Sequence, residues 1–310
     1  MTRYALRKLA GLAVVVPVIT LLVFLMRVLV PGDPIQIMFM GQSADREALE
    51  KARRDLGWDR PLPVQYAEYL SRLTRGDLGR SIQNGRPVAD ELRARYPLTL
   101  LLAAASLLVA LTLGLGLGIV AALQRERWLD AAATGLAVVG ISMPSFWLGL
   151  LLMSQLSVRW GLLPVMGTES ARHLVLPALT LGLVSAAAIA RLVRSSLLEV
   201  LGQEFVRTAR AKGLPGAAVV VKHALRAALA PVLSIVGLQF GFMLSGAFIV
   251  EVVFAWHGVG ELAVHAIQTR DFPLVQGIVV LVAVTYVVIN AGVDILCGWL
   301  DPRVGAARAG

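Results

Sequence analysis

The sequence predicts an all-α membrane protein with six transmembrane helices, and two observations on its 310 residues carry that prediction. Hydrophobic residues make up 57% of the chain and charged residues 16%, against about 45–50% and about 25% in soluble domains. Six nearly uncharged apolar runs are also long enough to cross a bilayer, for which a helix takes about 20 residues. These properties exclude an ordinary soluble domain and a disordered chain.

The predicted spans differ in the polar or helix-breaking residues that they contain. Arg27 stands near the end of the first span, and Pro144 lies within the third. Glu251 comes late in the fifth span, where we expect its side chain to reach the outer interface. The first run could be a cleaved signal peptide, but its length and the lack of an A-x-A site favour a span. The six runs are Leu9–Val30, Leu98–Leu123, Ala131–Ser157, Leu174–Ala190, Pro231–Trp256 and Leu274–Leu300.

Lysine and arginine residues in the loops predict that both termini are cytoplasmic. With the N-terminus inside, the cytoplasmic segments hold 14 of these residues and the two short outer loops hold 3. This distribution also explains the net charge of +9 without a nucleic-acid partner. The cytoplasmic segments are 1–8, 124–130, 191–230 and 301–310, and the short outer loops are 158–173 and 257–273.

This topology divides the chain into four parts. Residues 1–30 form the first helix with its cytoplasmic N-terminus, and residues 31–97 form an external loop subdomain. Residues 98–300 form a five-helix core, and residues 301–310 form a cytoplasmic tail.

The external segment predicts local order. Ala44–Leu56 and Val64–Leu73 have the periodicity of short amphipathic helices. Trp58, Tyr66 and Tyr69 favour a packed subdomain over a mere connector, although aromatic side chains could equally anchor at the membrane interface.

The most basic cytoplasmic segment, residues 191–230, predicts a helix, a break and a second helix. The first helix is expected from about Ser195 to Lys212 and the second from Ala217 to Ala230. The break has Gly213 at the position of a C-terminal cap, and Pro215 prevents continuation. A basic helical projection of this kind suits docking to a soluble partner, and attraction to anionic lipid is the alternative.

Motifs for several other chemistries are absent from the sequence. It has no G-x-x-x-x-G-K-[ST] loop for ATP, no H-E-x-x-H zinc motif and no G-x-S-G run. His257 and His265 form at most a weak candidate metal pair, and Cys297 is the single cysteine. Gly114 and Gly118, four residues apart in the second span, predict a close helix-packing face.

Polar residues inside the spans are few, and each requires a partner or an aqueous surface. Ser142 lies beside Pro144, Gln239 and Ser245 lie in the fifth span, and Asn290 lies in the sixth. These four are candidates for lining an aqueous path, with hydrogen bonding between helices as the alternative. Asp294 lies one turn after Asn290, and for this residue hydrogen bonding between helices is favoured over lining the path.

Motifs throughout the chain resemble the first permease subunit of peptide-type ABC importers. The match to the family's Glu-Ala-Ala loop carries the most weight, although Arg207 replaces its glutamate as in the peptide subgroup. His257 also stands where that subgroup has proline. The matching stretches are Met1–Gly41 with its Pro31–Pro34 turn, Leu56–Tyr66, Gly76–Ser81, Arg86–Val88, Gly140–Phe146, Phe205–Leu214, Lys222–Arg226, Glu251–Trp256 and Asp301–Arg303.

The resemblance implies the type I ABC importer transmembrane fold and a transport subunit that is not itself an enzyme. It implies as partners a homologous second permease, two ATPase subunits and an extracytoplasmic substrate-binding protein, in a bacterial or archaeal inner membrane. ATP and Mg would be bound by the ATPase subunits, with no cofactor on this chain. The residues implied in coupling to the ATPase are Arg207, Thr208, Ala209, Arg210, Lys212, Gly213, Leu214 and Lys222.

The resemblance also implies the kind of cargo. Di- and oligopeptides are expected, with nickel complexes or glutathione as the alternative. The translocation path would be lined by the four polar candidates named above. A stand-alone secondary transporter is less favoured because neither inverted repeats nor an intramembrane charge network is evident. A membrane hydrolase lacks a matching nucleophile or metal motif.

Overall fold

The computed structural model describes residues 17–26, 46–55, 57–125 and 128–300. These residues are mostly helical, and among them the β-structure is limited to an isolated bridge between Arg80 and Pro87. Two short π-helical segments, Met153–Arg159 and Val219–Ala224, interrupt the α-helices. The α-helices are α1 Pro17–Met26, α2 Arg46–Asp55, α3 Leu62–Thr74, α4 Val88–Leu123, α5 Trp128–Ser142, α6 Ser145–Leu152, α7 Ala171–Leu201, α8 Glu204–Ala211, α9 Leu225–Val253, α10 Val259–Gln268 and α11 Phe272–Leu300, with a single turn at Gly216–Ala218.

Four helices of the described residues are long and apolar enough to cross a membrane. They are α4, α7, the Ile235–Val253 part of α9 and the Phe272–Val293 part of α11. These four correspond to the second, fourth, fifth and sixth predicted spans. Of the first predicted span the structure describes the apolar α1, whereas Arg27 lies outside the described residues.

The third predicted span, Ala131–Ser157, is interrupted at Pro144, where the sequence predicts a kink. Helix α5 ends at Ser142, α6 begins at Ser145, and the π-helical segment begins at Met153. Proline has no N–H to continue the hydrogen-bond ladder, and its ring clashes with the preceding turn, so Pro144 breaks the helix. The count of six spans therefore stays a prediction.

Two of the long helices extend beyond their predicted ends. Helix α4 begins at Val88, ten residues before the predicted span, and α7 continues to Leu201. Each has a proline inside, Pro97 in α4 and Pro177 in α7, and the helix continues through it. The predicted spans followed apolar residues alone and so did not include these polar helical ends.

Contacts divide the chain into two compact units, and the larger one contains Leu98–His257 with the residues from Val288 onward. In this unit α7 packs against α5, α6 and α9. Helix α4 also approaches α7 closely, because a Cβ on Gly118 would lie 2.6 Å from the carbonyl oxygen of Ala190. A Cβ on Gly114 would lie 2.8 Å from the Ile189 side chain. The predicted close-packing face is thus confirmed.

A buried acid is the second notable feature of the larger unit. Glu251 is fully buried, and the Thr99 hydroxyl donates a hydrogen bond to its carboxylate at 2.7 Å. The Trp256 indole N–H donates to the carbonyl of Leu98 at 3.1 Å. The expectation that Glu251 reaches the outer interface is therefore wrong: the side chain lies inside the protein, where hydrogen bonding offsets the cost of burying a polar group.

The second unit contains the described residues between Leu6 and Pro97 together with Gly258–Val287. Its buried Asp271 precedes α11 and accepts hydrogen bonds from the Ser81 hydroxyl and from the backbone N–H groups of Ile82 and Leu274. Arg95 forms an ion pair with Glu261 at 2.9 Å. The loop before α4 is thereby fastened to the start of α11.

The predicted helices of the external segment are present as α2 and α3. Helix α3 packs on α1, because the rings of Tyr66 and Phe24 lie 5.4 Å apart between centroids. The Tyr66 hydroxyl lies 3.1 Å from the carbonyl oxygen of Pro17 and donates to it. Tyr66 thus serves as a packing residue within this unit.

Candidate functional site

The segment between α7 and α9, residues 202–224, forms a compact turn that we call the elbow. Helix α7 ends at Leu201, Gly202 and Gln203 interrupt it, and α8 follows from Glu204 to Ala211. The predicted continuous helix from Ser195 to Lys212 is therefore wrong. Gln203 has extended backbone angles, φ −78° and ψ 154°, and starts a new helix with the acidic Glu204 in its first turn, where the helix dipole favours negative charge.

The break predicted at Gly213 is present. Gly213 has φ +77°, and its N–H donates to the carbonyl of Arg210 at 2.9 Å. This left-handed conformation costs glycine little and other residues more, which makes glycine the usual residue just beyond a helix end. Pro215 then precedes the turn Gly216–Ala218. The predicted second helix, Ala217–Ala230, is not separate, because it passes through the π-helical segment into α9.

The elbow is attached to the long helices by an apolar cluster. Val206 and Val219 are fully buried, and Ala209 is nearly so. They pack with Ala224 of the π-helical segment and with residues of the long helices α4, α7 and α9, namely Ala122, Leu197, Val200 and Ala228. Since both arms of the elbow contribute to one cluster, the elbow is a packed structure and not a free loop.

The opposite face of the elbow is exposed and basic. Seven of the eight predicted coupling residues are exposed, and the eighth, Ala209, is buried in the apolar cluster. Arg207 forms an ion pair with Glu204 at 3.0 Å, and both side chains are largely exposed. The exposed seven are Arg207, Thr208, Arg210, Lys212, Gly213, Leu214 and Lys222.

Two apolar residues of the elbow surface were missed by the sequence prediction. Phe205 is 43% exposed and Val221 is 62% exposed, and with Leu214 they add apolar area to the basic face. The sequence offered little signal, because Phe205 stands beside Val206 and either could have faced the cluster. Exposed aromatic and arginine residues together are typical of protein interfaces.

An ion pair near the elbow was also missed. In α7, two turns before its end, Arg194 donates to both carboxylate oxygens of Asp130, with distances of 2.5 and 2.7 Å. Asp130 is in the first turn of α5. This bidentate pair ties α5 to the helix that leads into the elbow.

The four path candidates lie on three helices of the larger unit. Ser142 ends α5 and is exposed, Ser245 on α9 is exposed and donates to the carbonyl of Gly241, and Gln239 and Asn290 are half-buried. Asp294 lies in α11, and its side chain is outside the described part of the structure. Among the described residues, no cluster of three or more His, Cys, Asp or Glu could hold a metal ion.

Two family models cover most of the chain. Residues 114–306 match the binding-protein-dependent transport system inner membrane component, and residues 1–103 match the N-terminal component of that system's membrane protein. The chain belongs to this family of transport permeases.

Curated relatives and solved structures agree with this assignment. The chain is 42% identical to the glutathione transport system permease protein GsiC of Escherichia coli K12 and 43% identical to that of Salmonella typhimurium LT2. Both alignments cover 98% of this chain and 99% of the relative. A chain of the inward-facing MetNI methionine ABC transporter has a similar fold, with a TM-score of 0.58 and 19% identity over 68% of this chain and 96% of that chain.

These findings confirm the class of protein that the motifs indicated. The chain is a permease subunit of a binding-protein-dependent ABC importer, in the peptide, nickel and glutathione family. It has the type I importer fold, and it is an inner membrane component with several apolar helices. The family implies ATPase and substrate-binding protein partners.

Proposed function

We propose that the elbow is the surface through which an ATPase subunit drives this permease. The observation that carries the proposal is the contrast between its two faces: one is buried against three long helices and the other is exposed, basic and partly apolar. A surface of this kind can bind a soluble protein and transmit its displacement. An elbow that only held anionic lipid would not need the apolar cluster behind it.

The packing supports transmission of movement from the elbow to the spans. Val206 and Val219 join the two arms of the elbow to Ala122 of α4 and Leu197 of α7. Closely packed interiors are not continuously deformable, so a push on the elbow is expected to move these helices together. The ion pair of Arg194 with Asp130 extends this connection to α5.

The remaining partners and roles follow from the family and form part of the same proposal. A homologous second permease completes the translocation path, of which this chain forms half, and two ATPase subunits bind ATP and Mg. An extracytoplasmic binding protein delivers the cargo. This chain carries out no catalysis, its Ser142, Gln239, Ser245 and Asn290 line the path, and both of its termini are cytoplasmic.

The experiment is co-purification of the ATPase subunits with the permease after charge reversal on the elbow. Arg207→Glu with Arg210→Glu is expected to abolish association while membrane insertion stays normal. Gly213→Pro is expected to do the same, because Leu214 N–H and Gly213 N–H close the end of α8 and proline cannot adopt φ +77°.

The control is Arg226→Glu, which reverses an exposed charge of the same basic segment but lies in α9, outside the elbow. It is expected to leave ATPase association intact. If Arg226→Glu and the elbow variant weaken association equally, or if neither does, the elbow is not the docking surface. Unchanged association in both variants would instead support attraction to anionic lipid.

For the cargo we propose short peptides, with glutathione as the first compound to test. Two observations support this proposal: the motifs of the peptide subgroup, and the relatives described as glutathione permeases. Uptake of labelled glutathione and of a dipeptide should be measured in cells that carry the complete system. Unlabelled peptides are expected to inhibit the uptake of both labelled compounds. Inhibition by a nickel complex but not by peptides would favour nickel complexes as the cargo.

A further inference from the structure

The unit that contains α1, α3 and the start of α11 has a partly open cavity of about 520 Å³. This volume is within the range of small-molecule pockets, which is about 300–1,000 Å³. None of its lining residues belongs to the elbow or to the four path candidates. The cavity is therefore a separate feature that the proposed coupling function does not use.

Aromatic rings form much of the cavity wall. Phe24 comes from α1, Trp58 precedes α3, Tyr69 lies in α3, and Phe272 begins α11. Phe24 and Phe272 are buried, and the Tyr69 ring lies 6.1 Å from that of Phe24 between centroids. Rings held in this way provide a preformed apolar surface for a ligand.

An exposed basic residue and an exposed acidic residue line the cavity near the C-terminal end of α3. Arg72 and Asp77 both line it, and the Asp77 N–H donates to the Arg72 carbonyl at 3.0 Å. Within the described part of the chain, Arg72 forms no ion pair, and Asp77 engages one carboxylate oxygen with the N–H of Gly79. One guanidinium and one carboxylate oxygen therefore remain for a ligand.

The other charged residues of the cavity are already engaged. Glu68 forms an ion pair with Arg60, and the Arg80 guanidinium donates to the carbonyl of Gly85 at 3.0 Å. Tyr69 lies one turn before Arg72, and burial raises the pKa of its phenol to about 12, so its hydroxyl stays a donor at neutral pH. Arg72 and Tyr69 together offer donors for a carboxylate.

We propose that this cavity binds a short zwitterionic peptide through residues other than the four path candidates. The peptide carboxylate pairs with Arg72 and Tyr69, its ammonium pairs with Asp77, and its body packs on the aromatic wall. Guanidinium–carboxylate pairs have the planar geometry that such recognition requires. The inference shares its ligand class with the proposed cargo, but it does not depend on the elbow.

The test is saturation-transfer NMR on the full-length permease in nanodiscs, with the dipeptide Ala-Phe as the probe. Two modified probes, C-amidated and N-acetylated Ala-Phe, each lack one charge. Wild type is expected to prefer the unmodified dipeptide. Arg72→Gln should weaken Ala-Phe binding about tenfold, the value of one charge-assisted hydrogen bond, and abolish the preference over the amide. Asp77→Asn should abolish the preference over the acetylated form.

Arg75→Gln is the matched control, since Arg75 is exposed at the same helix end but does not line the cavity. It is expected to bind all three probes as wild type does. The inference is overturned if Ala-Phe does not bind, or if Arg72→Gln and Tyr69→Phe both bind it as wild type does. The elbow variant Arg207→Glu with Arg210→Glu separates the two proposals. Loss of ATPase association with peptide binding retained supports both, loss of both contradicts only this one, and retained ATPase association contradicts only the docking role of the elbow.

Discussion

At the scale of single residues, the buried contact of Thr99 with Glu251 makes a clear prediction. Thr99→Val keeps the side-chain shape but removes a donor to a fully buried carboxylate. Leaving a buried polar group short of a hydrogen bond costs about 1–3 kcal/mol, so the thermal unfolding midpoint in detergent should fall.

Thr112→Val is the matched control for this prediction. The Thr112 hydroxyl is exposed and donates to the carbonyl of Leu108 in its own helix, so its loss should change the midpoint little. Equal midpoints for wild type and Thr99→Val would contradict the importance of the contact.

The Tyr69 phenol makes a second prediction, on pH dependence. Burial raises its pKa from 10.0 to about 12, so the folded protein holds this proton more tightly than the unfolded chain does. The stabilising contribution is therefore complete below pH 10 and is lost as the pH rises towards 12. The ultraviolet pH titration of wild type minus that of Tyr69→Phe should show one phenol that ionises near pH 12. An ionisation midpoint near pH 10 would contradict the burial of Tyr69.

At the scale of elements, the approach of α4 to α7 predicts opposite behaviour for two glycines. Gly118→Ala would place a methyl group 2.6 Å from the Ala190 carbonyl oxygen, whereas Gly116 has open space around it. Overpacking costs about 1–3 kcal/mol, so Gly118→Ala should lower the unfolding midpoint. Gly116→Ala should be neutral or slightly stabilising, because alanine favours helix. Equal effects would mean that the helices are not in close contact.

The ion pair between α5 and α7 gives a prediction at the same scale. Asp130→Asn leaves the Arg194 guanidinium without its bidentate partner, in a place where the Asp130 side chain is only 9% exposed. Loss of hydrogen bonds to a charged group should cost about 1.5–3 kcal/mol in the free energy of unfolding. Asp90→Asn is the control, since Asp90 forms an exposed pair with Arg93 that should contribute little. Similar stability of both variants would argue against the helix contact.

The elements also show which parts of the fold a sequence can predict. Long apolar runs predicted α4, α7, α9 and α11 because the bilayer imposes their length and composition. Pro144 predicted a kink in the third span, but hydropathy is insensitive to a missing N–H, so the apolar run did not reveal that the helix stops there. They did not reveal the separate α8 either, because Gly202 and Gln203 are compatible with a continuing helix until packing decides.

In the candidate sites too, features that depend on neighbouring residues could be predicted from the sequence, and features that depend on distant residues could not. Local motifs predicted the exposed elbow residues and the left-handed Gly213, which depend on neighbours in sequence. The partners of Glu251 and Arg194 lie 152 and 64 residues away in the chain, and no local pattern indicates them. The cavity beside Tyr69 is formed by α1, α3 and α11, so it exists only after these distant segments have packed.

At the scale of the whole molecule, the distribution of basic residues predicts which loops a membrane-impermeant reagent can reach. In a Cys297→Ser background, Ser71→Cys places a thiol at an exposed site of α3, and Ala217→Cys places one at an exposed site of the elbow. An impermeant maleimide should label the Ser71→Cys protein in intact spheroplasts and the Ala217→Cys protein only after permeabilisation. The reverse pattern would invert the proposed orientation of the elbow and of both termini.

The break between α5 and α6 restricts what can surround this part of the protein in a bilayer. Proline at position 144 cannot donate to the carbonyl of Gly140, four residues earlier, so that oxygen needs another donor. Acyl chains supply none, and a polar backbone group left unsatisfied in hydrocarbon costs several kcal/mol. We therefore expect this interruption to face water or another polypeptide and to be shielded from lipid tails.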